Sequence, residues 1–274
     1  MNRAAYPTDL TDVQWDMIRE LLPLSTGPGR PVAVDYREVM NAILYINRSG
    51  CQWAMLPHDF PNFKTVNWYY NKWRKDGLID DLLDALRGVV RETVQKDATS
   101  TVSNIDSQTV KTSNQGGEVG YDGGKRANGR KRHVITDVLG IILIVSVTAA
   151  NLADNVVAES LLRELNEQHP TIKVVNADLG YRGKLVTFVE KELTLELNHS
   201  SKPEGTKGFQ PLRQRWVVER TFAWLNRYRR LNRDVERTTS SSEAMIKISQ
   251  ASLLLNRIDP KPTQIPFHYV KYST

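Results

Sequence analysis

The apolar positions of this chain fall into two regions with different periods. Up to about residue 95 they recur at helical spacing, with few candidate strands. Thr11-Asp12-Val13-Gln14 has the makings of a helix N-terminus and precedes an amphipathic run through Trp15, Ile18, Leu21 and Leu22. Pro23 and Gly27-Pro28-Gly29-Arg30-Pro31 end that helix in a loop. Asp35 opens a second helix carrying Val39, Ile43, Leu44 and Ile46, closed by Gly50. The chain breaks again between Pro57 and Pro61. A third helix starts near Lys64, and a fourth runs from Leu78 to about Gln95. In the third, Trp68, Tyr69 and Trp73 can fill a small core while Lys64, Asn67, Asn71, Lys72 and Arg74 face outward. Short helices joined by tight loops, one of them basic and aromatic, suit a helix-turn-helix-like DNA reader. They suit equally a helical bundle with a solvated polar face.

Beyond a linker at Lys96–Thr101 the pattern changes. Val102–Val110 reads as a strand and Gly116–Gly129 as a Gly-rich polar loop. Arg132–Val138 and Ile141–Ala149 read as a hairpin turning at Leu139-Gly140. Asn155–Gln168 is helical, Ile172–Asp178 a strand, Lys184–Lys191 a short helix and Leu193–Leu197 a short strand. Pro203–Pro211 is loop, and Arg213–Leu231 a long helix. No internal repeat is evident. Three strands in succession, then two that return through helices, predict a mixed five-stranded sheet with helices on its faces. That α/β order is the ribonuclease H-like topology. The expected division is a helical domain at 1–95, the sheet domain at 96–258 and a tail at 259–274.

Composition narrows the picture only modestly. With 274 residues, 40% hydrophobic and 25% charged, the chain is globular in character. Runs such as Val138–Ala150 are too short to cross a bilayer, and Met1–Pro7 holds no apolar leader segment. The lone Cys51 excludes an internal disulfide and fits a reducing compartment, so the cytoplasm is expected, with no membrane partner. The net charge of +6 is clustered at Lys125, Arg126, Arg130, Lys131 and Arg132, and again along Arg213–Arg237. Such clusters fit a polyphosphate partner, or simply a solvated basic face.

Two acids stand where chemistry is possible. Asp106 lies within the first predicted strand, and Asp178 ends the fourth, ahead of a glycine-bearing turn. These strands are neighbours in the expected topology, so the two carboxylates can face each other at a strand-end crevice. Like charges that close repel unless a cation neutralises them, and Mg²⁺ is the simplest hard cation for oxygen ligands. On the last helix Val217, Thr221, Trp224, Tyr228 and Leu231 form a stripe that can pack on the sheet. Glu219 lies off it, on a face with Arg215, Phe222 and Asn226. Taken singly, each aspartate could be a turn former and Glu219 an exposed partner of Arg215.

Three segments resemble the signatures of bacterial insertion-sequence transposases of the acidic-triad (DDE) type, in particular insertion-sequence family five. They are Asn104–Lys111, Asn176–Gly183 and Arg215–Asn226. Gly124–His133 is like that family's basic loop. Leu10–Trp15, Gly29-Arg30-Pro31, Arg48–Trp53 and Leu56-Pro57 resemble its N-terminal module. The likeness runs from about Leu10 to Arg257. In the wider family the third motif is Tyr-x-x-Arg-x-x-x-Glu, followed seven residues on by Lys. This chain keeps Arg215 and Glu219 but has Leu212 in the Tyr position and Asn226 in the Lys position.

The resemblance implies a metal-dependent DNA transposase that binds terminal inverted repeats and performs strand cleavage and strand transfer. Asp106, Asp178 and Glu219 would be its catalytic and metal-binding acids, holding two Mg²⁺ ions, with Mn²⁺ a possible substitute. Double-stranded DNA, as element ends and as target, would be the partner, and a homodimer would join two ends. Lys64, Asn67, Asn71, Lys72, Arg74, Lys125, Arg130, Lys131, Arg215 and Arg227 are the expected DNA contacts, Arg227 standing near the missing Lys. The alternatives are a nuclease of the same fold without strand transfer and a non-catalytic transposon-derived DNA-binding protein.

Overall fold

The computed structural model describes residues 3–22, 34–113, 117–199 and 213–261, with only the backbone at 213–215. The expected loops at 27–31 and 203–211, Leu212, the Arg215 side chain and the tail beyond 261 lie outside the described residues.

The N-terminal helices begin and end where their end chemistry directs. α1 (Asp12–Ile18) is opened by Thr11, whose hydroxyl accepts from the Gln14 N–H while the Gln14 side chain accepts from the Thr11 N–H, a reciprocal capping box. In α2 (Tyr36–Ser49), Asp35 accepts from the Arg37 N–H at 2.8 Å, and Gly50 closes the helix at φ 74°. Asn62 caps α3 (Phe63–Lys75), and α4 (Leu78–Thr93) follows. Val66, Tyr69, Tyr70 and Trp73 form the buried side of α3, whereas Trp68 is 57% exposed. The expectation that Trp68 fills the core is thus corrected: it sits on the opposite side of a helix whose inward positions fall at 66, 69, 70 and 73.

Among the described residues the sheet has six strands. β1 (Val102–Lys111) pairs antiparallel with β3 (Ala127–Asp137), and β3 in turn with β4 (Ile142–Ala149). On its other edge β1 pairs in parallel with β5 (Val174–Ala177), which pairs in parallel with β6 (Glu196–His199). This is the ribonuclease H-like mixed sheet. The sixth strand is the short β2 (Gly120–Asp122), paired with the start of β3 inside what the sequence suggests is loop. Gly129 makes that early start of β3 possible, since a Cβ there would stand 1.9 Å from the Val110 carbonyl oxygen.

Each sheet face has its own cover. Ile105, Ile135, Val175 and Ala177 pack against α5 (Asp154–Gln168) and α6 (Lys184–Glu192). On the other face Val134, Ile142, Val145 and Val147 join a core shared with the N-terminal helices, α7 (Arg213–Leu225) and α8 (Thr239–Ile258). Each large side chain fully buried there contributes roughly 1.5–3 kcal/mol of transfer free energy. Two expectations change here. α7 stops at Leu225 rather than Leu231, and its buried stripe is Val218, Thr221, Phe222 and Leu225. Phe222 therefore faces the core instead of sharing the Glu219 side, and Tyr228 and Leu231 reach the core from beyond the helix end. α8 was not anticipated from the pattern. Among the described residues no helix is long and apolar enough to cross a membrane.

Candidate active site

Strand alternation aims Asp106. Ile105, 3% exposed, enters the core beneath α5, so its neighbours Asn104 and Asp106 point to the α7 face. The Asp106 Oδ1 accepts from the Ser107 N–H at 2.7 Å. Asp178 follows the last residue of β5, and its Oδ1 accepts from the Gly180 N–H at 2.7 Å in a tight turn. The parallel register pairs Asn104 with Asn176, which sets Asp106 and Asp178 two residues further along adjacent strands. Both line one small cleft with Asn104, Ile105, Asn176, Ala177 and, from α7, Val218. Glu219 is the next residue of α7 and is exposed. Among the described residues no group of three His, Cys, Asp or Glu side chains is gathered closely enough to hold a metal ion. The two aspartates thus share a cleft, and Glu219 stands one residue past its wall.

Two asparagines that the sequence pattern does not single out line the same cleft. Asn176 Nδ2 donates to Asn104 Oδ1 at 3.1 Å and to the Ser103 carbonyl at 3.3 Å. Asn198 Nδ2 reaches Asn176 Oδ1 at 3.4 Å, and Asn104 Nδ2 the Asp137 carbonyl at 3.4 Å. A signal was present: both strands carry Asn-x-Asp, and a period of two puts each Asn on the face of its Asp. Tyr181 is buried in the core beneath α5 and α6, within reach of the acids' charge. Burial, then the charges of Asp106, Asp154 and Asp178, push its hydroxyl well above the ordinary tyrosine range.

The basic residues divide. Arg130 is fully buried: its guanidinium meets Asp234 Oδ1 at 3.1 Å and donates to the carbonyls of Glu118, Glu236 and Arg237. Lys131, also buried, donates to the Leu152 carbonyl at 2.9 Å and pairs with Asp154 at 3.1 Å. The expectation that both contact DNA is corrected: they are buried and act as internal ties, with most of their donors engaged inside the fold. Lys125, Lys64 and Arg227 are exposed. Lys72 pairs with Asp76 at 2.6 Å. Asn67, Asn71 and Arg74 lie together along α3, with Asn71 Nδ2 donating to the Asn67 carbonyl and Arg74 Nη2 to Asn71 Oδ1. These three border a cavity of about 740 Å³ that Arg230 and Arg237 also line. Of Arg215 the structure gives the helical position alone.

Comparison with known proteins bears on both regions. Residues 97–255 match the family model described as "Transposase DDE domain", and residues 10–83 match one described as "Putative transposase of IS4/5 family". Over 138 residues the chain is 30% identical to a protein of Burkholderia cepacia described as "Putative transposase for insertion sequence element IS402", covering 47% of this chain and 64% of that one. Over 77 residues it is 32% identical to the uncharacterized protein y4sN of Sinorhizobium fredii, covering 28% of this chain and 62% of that one. The chain thus spans a little under two thirds of the length of these curated relatives. With one family model covering more than half of its length, and with paired aspartates on adjacent strands beneath a helix bearing a glutamate, the chain belongs to the DDE-domain transposases.

Proposed function

We propose that this chain binds the terminal inverted repeats of an insertion sequence and carries out metal-dependent DNA strand cleavage and strand transfer at Asp106, Asp178 and Glu219. The observation that carries the reading is the cleft shared by Asp106 and Asp178 just past the last β1–β5 pair, walled by the α7 residue next to Glu219. The donor set fits a hard divalent cation. Its ligands are carboxylate oxygens, and two aspartates that close repel unless a cation stands with them. Asp106, Asp178 and Glu219 would hold two Mg²⁺ ions, or Mn²⁺ in their place. Bound there, the ions would acidify the attacking water or 3′-hydroxyl and steady the leaving oxygen.

The remaining work falls to the chain. The Ser107 and Gly180 N–H groups fix the rotamers of the two aspartates. Lys64, Asn67, Asn71, Lys72 and Arg74 on α3 read the DNA ends, so the helical region 1–95 acts as the recognition module for the catalytic region 96–258. Lys125, Arg215 and Arg227 hold phosphates. A dimer joins two ends. The test is to make Asp106→Asn, Asp178→Asn and Glu219→Gln and supply DNA made from the sequences flanking the coding region. Each variant should bind that DNA like the parent and neither cleave nor transfer it in Mg²⁺. Near-normal activity in any one removes that residue from the set, and cleavage without joining to a target duplex makes the chain a nuclease.

A further inference from the structure

α7 carries a stacked column of side chains on its outer side. Trp216, Arg220 and Trp224 recur every four residues, and the Arg220 guanidinium lies 4.8 Å from the Trp216 ring centre and 4.7 Å from that of Trp224. Arg257 of α8 closes the far end, 4.4 Å from the Trp224 ring. The column is anchored rather than draped on the surface. Arg220 Nη2 donates to the Leu139 carbonyl at 3.1 Å, and Trp224 sits so close to the β3–β4 turn that a Cβ on Gly140 would meet its ring at 3.0 Å. Arg257, Trp224 and Arg220 are therefore held between neighbours, and Trp216 ends the column at 50% exposure.

A singly exposed indole is ordinary, as Trp68 shows at 57% exposure, so what distinguishes Trp216 is its fixed backing and its neighbour. Trp216 stands three residues before Glu219, and side chains at that helical spacing are surface neighbours, with Cβ atoms roughly 5–6 Å apart. One ring face is backed by a fixed guanidinium, and the ring is orientated before any partner arrives. A flat, rigid, pre-set aromatic surface beside a carboxylate that acts on phosphodiesters matches the π-face of a nucleobase, which stacks irrespective of sequence.

We propose that the exposed indole of Trp216, buttressed by Arg220, is a stacking platform for a nucleobase of the DNA strand that passes Glu219. This rests on the DNA-cleaving reading above. Trp216 holds the strand beside Glu219 and takes no part in bond making.

The experiment uses full-length protein and duplexes made from the DNA flanking the coding region, each with 2-aminopurine at one position across the cut site. The parent should quench the probe at one or two adjoining positions, and so should Asp106→Asn. Trp216→Ala should abolish that local quenching and weaken binding about tenfold, whereas Trp216→Phe should keep part of both. Quenching by Trp216→Ala at the parent's positions and strength overturns the platform while leaving the function intact. So does a Trp216→Ala protein that quenches normally but sediments as a smaller species, which would make the indole a contact between copies. A parent protein that binds none of the duplexes overturns both readings.

Discussion

Asn176 donates from Nδ2 to Oδ1 of Asn104 at 3.1 Å across the parallel β1–β5 pair, two residues before Asp178 and Asp106 on the same strands. The amides fix the relative register of the two strands from which both carboxylates project. A slip of one residue would send one aspartate to the opposite sheet face. Asn176→Leu keeps the volume and removes the link, leaving the buried Asn104 amide short of a partner. A loss of about 1–3 kcal/mol is expected, read as a lower midpoint in urea. Strand cleavage should fall further than DNA binding does. Unchanged cleavage in a protein of lowered stability would show that the amides serve packing alone.

Arg130 and Lys125 belong to the same basic stretch of sequence and should behave in opposite ways. Arg130→Met strips Asp234 of a buried cation and leaves three carbonyls without that donor, for an expected loss of about 3–5 kcal/mol. Lys125→Ala should leave the thermal midpoint alone and lower the slope of log binding constant against log salt by about one. Equal effects of the two substitutions on DNA binding at matched stability would restore Arg130 as a phosphate contact.

That contrast also marks what could be read from sequence. Thr11 with Gln14, Asp35 and Gly50 are local devices, so their roles in α1 and α2 were legible from a few residues. Asp106 was legible because strand alternation fixes its face. Burial of a cation was not, since Arg130 finds Asp234 over a hundred positions away and only the folded chain reveals the pair. α8 is hidden in the sequence for a related reason. It buries Ser241, Ser242, Ser249 and Gln250 beside Met245 and Leu254, so no polar stripe contrasts with an apolar one. The α7 stripe differs from the expected one because Tyr228 and Leu231, although buried, lie beyond the helix end at Leu225. Strand pattern alone makes Asp106 and Asp178 a possible pair, whereas Glu219 rests on family likeness and stands outside the cleft lining.

His133 predicts a dependence on pH. It is 1% exposed, with Nε2 3.0 Å from the Thr148 hydroxyl, and burial lowers its pKa from 6.5 to about 4 against the opposing pull of Asp154. A base depressed in the folded state is neutral there, while the unfolded chain takes up the proton first. The associated stability is complete above pH 6.5 and is lost as pH falls toward 4. Between pH 7 and pH 5 the loss should be about 2 kcal/mol, measured by urea unfolding. His133→Gln should flatten this part of the profile. An equally steep loss in that variant would assign the acid sensitivity to another group.

Cation binding can be tested apart from catalysis. A ligand that binds the folded chain alone raises its melting temperature in proportion to the logarithm of its concentration above Kd. Mg²⁺ and Mn²⁺ should each raise the midpoint of the DNA-free protein, because either cation offsets the repulsion between Asp106 and Asp178 in their shared cleft. Asp106→Asn removes one of the two charges, so the rise should shrink sharply, and Asp178→Asn should act alike. Glu219→Gln should reduce it less, since Glu219 lies past the cleft wall and would reach the ions only as DNA draws the site together. An identical rise in all three variants would place the bound cation elsewhere on the protein. A larger loss for Glu219→Gln than for either aspartate would mean that the helix, and not the strand pair, supplies the primary ligand.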